Sequence, residues 1–194
     1  MDIDTHFCPP FEAVPASAKI IIDLGCNDGA TTQFFADRFK DAQIYGVELD
    51  RLIAWRTAER FLEDIRISIF HTAIGWPEGE QTAYIDTCSA VSTLTPYQHR
   101  ETSYITVDVL SLDSFIERQN ISLIDFIKID IEGAEMMLLD GPRNWMDNTK
   151  CFIIECHSEQ AIKRFSKLGG FTVRPLLPEP QYGNHLLAVQ NDFS

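Results

Sequence analysis

The chain has 194 residues, 45% of them hydrophobic, and a formal charge of −13. That is enough apolar material for one substantial core, so residues 1–194 are expected to form a single domain, while the acid excess opposes a nucleic-acid backbone as substrate. No apolar run reaches the length of a membrane span, and Met1 to Pro10 carries acids and prolines in place of a basic and then apolar leader, which points to the cytoplasm.

After an N-terminal extension over 1–18, three β-branched residues in succession, Ile20, Ile21 and Ile22, suit a parallel strand covered on both faces. The strand runs straight into a glycine turn, Gly25 to Gly29, where Gly25 permits close ligand approach. A helix is predicted over Ala30 to Phe39, with apolar residues four apart and Asp28 as its cap. The second strand, Ile44 to Val47, ends at Glu48, an acid placed where a ribose would present its hydroxyls. Strand, glycine turn, helix, strand and acid together describe a nucleoside site.

What the turn lacks decides which nucleoside. A dinucleotide fingerprint wants glycine at its first, third and sixth positions, so that the backbone can approach a pyrophosphate. Here those positions hold Gly25, Asn27 and Ala30, and Asp23 and Asp28 bring negative charge nearby. A pyrophosphate is disfavoured, whereas S-adenosylmethionine, with a sulfonium, an ammonium and no phosphate, is suited to such a pocket. The expected cofactor contacts are Asp23, Gly25 and Asn27 at the methionine end, Glu48 on the ribose, and Thr72 or Ala73 beside the adenine. Asp23 could instead only brace the turn, and Glu48 could simply end its strand.

A second helix follows Asp50, with Leu52, Trp55, Glu59 and Leu62 along about three turns, and Ile65 to Ala73 is predicted as the third strand. Helical period then vanishes over an insertion at 76–100, where Thr82 to Ile85 is a short strand and the remainder, rich in Ser and Thr, could rim a substrate site. Tyr104 to Val109 reads as a strand, Leu112 to Glu117 as a short helix, and Leu123 to Ile129 as a central strand ending at Asp130. Glu132 and Gly133 open a helix that stops at Gly141 and Pro142. Lys150 to Glu155 is the next strand, followed by His157, Ser158 as a cap, and a helix carrying Ala161, Ile162, Phe165 and Leu168. Phe171 to Arg174 and His185 to Val189, joined by a proline-rich turn, complete the chain as an antiparallel hairpin on an otherwise mostly parallel sheet.

Smaller features are read as structural. Cys8, Cys26, Cys88, Cys151 and Cys156 show neither zinc spacing nor a C-x-x-C motif and are expected to be reduced thiols. His6, His71, His99 and His185 are taken as structural or surface groups, Tyr84 and Tyr104 as core, and Trp76 and Tyr97 as either packing anchors or platforms for a sugar ring. Lys128 shares a strand face with Phe126 and Asp130, so its ammonium needs an acid, Asp130 or Glu155, most simply to neutralise the strand.

The run FIKIDIEGAE at Phe126 to Glu135, with Leu138 and Gly141 beyond it, resembles the signature of FkbM-type methyltransferases. IDLGCNDG at Ile22 to Gly29, YGVELD at Tyr45 to Asp50, HTAIG at His71 to Gly75, SLDSF at Ser111 to Phe115 and IIECH at Ile153 to His157 support the likeness. The resemblance implies an α/β class I methyltransferase fold, Rossmann-like, with helices on both faces of the sheet. It also implies methylation, from S-adenosylmethionine, of a hydroxyl on a sugar, glycan or secondary metabolite. The chain is short before its first strand, so the acceptor would be covered by the insertion and the C-terminal turn, or by a second subunit in a homo-oligomer. Nitrogen or carbon acceptors, a nicotinamide-dependent oxidoreductase and a nucleoside-binding subunit without chemistry are the competing readings.

Methyl transfer to an alcohol requires alignment and partial removal of a proton by a carboxylate or imidazole. Asp130, at the end of the central strand, Glu132 and His157 are the catalytic candidates; alternatively Asp130 orients the cofactor's amino group and Glu132 caps the following helix. The same three residues offer hard ligands that Mg²⁺ could use, but their spacing does not make a metal centre the expectation.

Overall fold

The computed structural model describes residues 14, 16–86, 92–96, 102–176 and 184–193. Nearly all of the N-terminal extension, His6, Cys8, Cys88, Tyr97, His99 and the proline-rich turn before His185 lie outside the described residues. In chain order the elements are β1 (Ile20–Leu24), α1 (Ala30–Arg38), β2 (Gln43–Glu48), α2 (Arg51–Arg60), β3 (Ile67–His71) and β4 (Ala73–Ile74). They continue with β5 (Gly79–Asp86), β6 (Ser92–Thr93), β7 (Thr102–Leu110), α3 (Leu112–Arg118) and β8 (Phe126–Ile129). The last are α4 (Glu135–Asp140), β9 (Cys151–Glu155), α5 (Glu159–Phe165), β10 (Phe171–Pro175) and β11 (His185–Gln190).

Seven strands form the main sheet in the order β10-β11-β9-β8-β1-β2-β3. From β9 to β3 every pairing is parallel, and β11 runs antiparallel to both β9 and β10, as expected of the terminal hairpin. The period of two divides each central strand between two cores. Ile21, Ile44, Phe126 and Ile153 pack with Phe35 and Phe39 of the α1 side. Ile22, Ile127, Ile129 and Ile154 pack with Phe115, Trp145, Phe152 and Phe165 on the other face. Burying each of these large side chains contributes about 1.5–3 kcal/mol. Because β1 is followed by α1 and β2 on one side and pairs with β8 on the other, the sheet has its switch point at the carboxyl ends of β1 and β8.

Several expected elements take a different form. The predicted third strand divides at Thr72: β3 continues the main sheet, whereas β4 joins a second, four-stranded sheet ordered β4-β7-β5-β6. Thr72 ties the two together, its amide donating to the Glu48 carbonyl (3.2 Å) and its hydroxyl to the Asp108 carbonyl (2.8 Å). Among its described residues the insertion carries two strands, β5 and β6, with β5 paired along its whole length to β7. On α2, Leu52 and Trp55 are exposed and Ala54 and Thr57 are buried, because the helix lies against the glycine turn, where a Cβ on Gly29 would meet Thr57 and Phe61 within 3 Å. Asp28 is not the cap of α1, a place taken by Gly29 at φ +80, although its carboxylate accepts the Ala30 amide at 3.1 Å. The central strand starts at Phe126, and Asp125 just before it is spent on the Lys19 and Ile20 amides (2.7 and 3.0 Å). Tyr104 is exposed, its ring edge-on to Tyr84, and so contributes no core. Among the described residues no helix is long and apolar enough to cross a membrane.

Candidate active site

A cavity of about 680 Å³ opens at the carboxyl ends of β1, β2 and β8. Of the residues singled out in the sequence, Gly25, Asn27, Glu48, Thr72, Ala73, Asp130 and Glu132 line it; Asp23 and His157 are not in its wall. Glu48 is buried, and its two carboxylate oxygens are oriented by the backbone, one accepting the Asn27 amide (3.0 Å) and the other the Asp50 amide (2.8 Å). Burial pushes its pKa up against those two hydrogen bonds. Asn27 adopts φ +47, a conformation asparagine tolerates, and its carbonyl accepts the Thr57 hydroxyl at 2.7 Å. Gly25, at φ +75, lies so close to the next strand that a Cβ would stand 1.8 Å from the Asp130 carbonyl oxygen.

Lys128 links the turn to the reaction end of the cavity. Its Nζ donates to the Gly25 carbonyl at 2.9 Å and pairs with Asp130 Oδ2 at 3.2 Å and Asp23 Oδ1 at 3.5 Å. Burial alone would lower its pKa, but Asp130 and Asp23 outweigh burial and raise it, so the ammonium stays charged. The expected acid partner Asp130 is present, and Asp23 takes the place considered for Glu155. Asp23 itself is fully enclosed, accepts the Thr32 hydroxyl at 2.7 Å and has its pKa raised, with burial prevailing over the longer contact to Lys128. Through Lys128 it contacts a residue of the cavity wall.

Beyond Asp130 the chain turns at Glu132 (φ +54) and Gly133 (φ +93), so α4 begins at Glu135 and not at Glu132. Glu132 is no helix cap; the Glu135 carboxylate accepts the Gly133 amide instead, at 2.8 Å. The freed Glu132 side chain points to His157, whose Nε2 lies 3.4 Å from Glu132 Oε2 and 3.8 Å from Glu155 Oε1. His157 Nδ1 meets the buried Glu135 at 2.8 Å. Burial opposes charge on this imidazole, but the Glu135 hydrogen bond and the charges of Glu135, Glu132 and Glu155 overcome it and push the pKa to about 9. A pKa near 9 favours the imidazolium at neutral pH, a form that lacks the free lone pair a base needs. Glu132 has its own pKa raised, by burial first and then by Asp130. Glu155 is held low by the hydrogen bond from His185 and by its charge, with Nε2 3.3 Å away.

Asp130, Glu155 and His157 bring ligand atoms within 4.8 Å of one another, a different trio from Asp130, Glu132 and His157. Of these, only the two carboxylates are the oxygen ligands that Mg²⁺ prefers. Trp76 packs on Gly141, away from the cavity wall, and Cys26, Cys151 and Cys156 are buried. His71 is exposed and His185 pairs with Glu155. The importance of Glu135 was not singled out, although it closes the run FIKIDIEGAE; its pairing with His157 spans 22 positions and has no local signature.

The pairing has a sign that can be measured. A pKa raised from 6.5 to about 9 on folding adds stability in full below 6.5 and loses it as pH climbs through 9. His157→Asn is therefore expected to lower the urea midpoint at pH 6.5, by the equivalent of about 2 kcal/mol after allowance for screening, with the gap to the parent closing by pH 10. A gap independent of pH would exclude the imidazolium.

The model of the methyltransferase FkbM domain matches residues 23–179. The chain belongs to the FkbM methyltransferase family. A curated relative, the 2-O-methyltransferase NoeI of Sinorhizobium fredii, is 27% identical over 158 residues, covering 74% of this chain. The matched part spans 65% of NoeI. Among solved structures, one from Staphylococcus aureus assigned as a caffeoyl-CoA O-methyltransferase superposes with a TM-score of 0.56 at 12% identity, covering 91% of this chain and 78% of that one. Aeropyrum pernix fibrillarin, in complex with natively bound S-adenosyl-L-methionine, has a TM-score of 0.54 at 14% identity, covering 90% and 66%. At such identities these likenesses establish the class I methyltransferase fold and nothing finer.

Proposed function

We propose that this methyltransferase uses S-adenosylmethionine to methylate a hydroxyl oxygen of a sugar, glycan or secondary metabolite. The observation that carries the reading is the cavity itself: a glycine turn without phosphate-binding character, the oriented carboxylate of Glu48, and an acidic end at Asp130 and Glu132. The buried Asp130 Oδ1 has no hydrogen-bond partner in the protein, which suits a site for the cofactor's ammonium. Thr72 and Ala73 would flank the adenine, and Glu48 would accept the ribose hydroxyls with lone pairs its two amides leave open. Oxygen as acceptor is supported by the name of the relative NoeI. The net charge of −13 favours a small or glycan acceptor over nucleic acid, and the buried thiols of Cys26 and Cys156 suit the cytoplasm.

When bound, S-adenosylmethionine supplies an electrophilic methyl on a sulfonium leaving group. The chain's task is to align the acceptor oxygen and remove its proton, and alignment alone supplies ~7–11 kcal/mol in well-oriented systems. Asp130 is committed to Lys128 and to the cofactor end. Glu132 lines the cavity and has a raised pKa, so it is the better base and would receive the hydroxyl proton as the methyl is transferred. His157 holds Glu132 in place as a cationic neighbour.

Calorimetric titration with S-adenosylmethionine, S-adenosylhomocysteine and NAD tests the cofactor. Saturable binding of the first two and not NAD is expected, followed by methyl transfer to hydroxyls in a screen of sugars and metabolites. Binding of NAD alone would sink the proposal.

A further inference from the structure

The second sheet meets the turn that carries Glu132 at one pair of hydroxyls. We infer that Thr93 and Thr95 are positioning residues, Thr93 gripping the Glu132 carbonyl and Thr95 orienting the Thr93 hydroxyl, which together aim the Glu132 carboxylate at the acceptor; the inference rests on Glu132 as the base. Glu132 sits at φ +54, a conformation costing a non-glycine residue about 1–2 kcal/mol unless its surroundings impose it. Thr93, with no exposed surface, donates its hydroxyl to the Glu132 carbonyl at 2.5 Å. Its one proton being used there, Thr93 Oγ1 accepts from the Thr95 amide (3.0 Å) and from the Thr95 hydroxyl (2.9 Å). The Thr95 hydroxyl is also 3.5 Å from the same carbonyl, and a Cβ on Gly133 would come within 2.8 Å of it.

The two hydroxyls therefore pack directly on a turn that must be left-handed. Released from them, Glu132 would relax toward the right-handed region, and its Cα–Cβ bond would swing to a different direction. The grip is placed to matter for the reaction because Ser92 and Leu94, on either side of Thr93, line the cavity beside Glu132. The same short strand thus walls the cavity and holds the base. The groups that face the Glu132 carboxylate are Asp130 on its own turn, His157 and Glu155 at the end of β9, and Glu135 on α4.

The test is a ¹³C NMR titration of the protein labelled at glutamate carboxyls, with the Glu132 signal assigned through Glu132→Gln. S-adenosylhomocysteine calorimetry runs in parallel as the probe of the cofactor site. In the parent, Glu132 should titrate above its ordinary value of 4.5. Thr93→Val, which keeps the shape and removes the hydroxyl, is expected to return that titration toward 4.5 while leaving S-adenosylhomocysteine affinity within about twofold. Thr93→Ser should restore the parent curve. An unchanged titration in a folded Thr93→Val overturns the inference, as does a shift that Thr93→Ser fails to rescue. Should Thr93→Val not fold, Thr95→Val removes the hydroxyl that orients Thr93, and the same two readings decide. Because the titration needs no turnover, an active Glu132→Gln together with a shifted Thr93→Val curve would refute the base and leave the positioning intact.

Discussion

Glu132→Gln is expected to lower turnover by about 10²–10⁴-fold, the usual worth of a positioned general base, while S-adenosylmethionine affinity changes by a few-fold at most. Glutamine preserves the size of the side chain and can still meet His157, so the loss isolates proton acceptance from packing. The pH profile sharpens the test. Glu132 must be ionised to act, and burial beside Asp130 raises its pKa, so the parent's rate should climb with pH through a value above the ordinary 4.5. Glu132→Gln should lose that rising limb. Full activity in the variant, or a limb that survives in it, would remove Glu132 from the chemistry and return Asp130 to consideration.

Gly25→Ala is expected to cost on the order of 3 kcal/mol or more in stability and to abolish measurable cofactor binding. The added Cβ would stand 1.8 Å from the Asp130 carbonyl oxygen and 2.9 Å from its carbonyl carbon, at a residue with φ +75. Both obstacles are backbone, so no rotamer change relieves the overlap; β1 and β8 would have to separate where the sheet forms the cavity floor. The same movement would stretch the Lys128 bond to the Gly25 carbonyl, now 2.9 Å, and shift Asp130, and misplacement by about 1 Å is enough to cost ~100-fold in a positioned reaction. Urea unfolding and calorimetry with S-adenosylmethionine report the two losses separately. A variant that binds and unfolds like the parent would show that the turn does not approach β8 this closely.

Both predictions rest on residues that stand out in the sequence for local reasons. Ile20 to Ile22 followed by Gly25 is recognisable because strand burial and a left-handed turn restrict residue choice position by position. Glu48 and Asp130 are recognisable because each ends an apolar strand, and in a parallel sheet strand ends converge without further information. The break at Thr72 was not legible in the same way: Ile65 to Ala73 has one continuous composition, and the switch between sheets depends on hydrogen bonds to Glu48 and to Asp108, 24 and 36 positions away.

By itself, then, the sequence determined the order of the main-sheet strands and the helices, the glycine turn, the strand-end acids and the family. Those follow from periodicity, glycine placement and short motifs, which act over a few residues. Only the tertiary structure decided that Asp23 is fully enclosed, that Glu132 leaves the helix and lines the cavity, that Thr93 holds its carbonyl, and that three carboxylates raise the pKa of His157. Protonation depends on burial and on summed charge, and here His157 draws on Glu132, Glu135 and Glu155, which only folding brings around one ring.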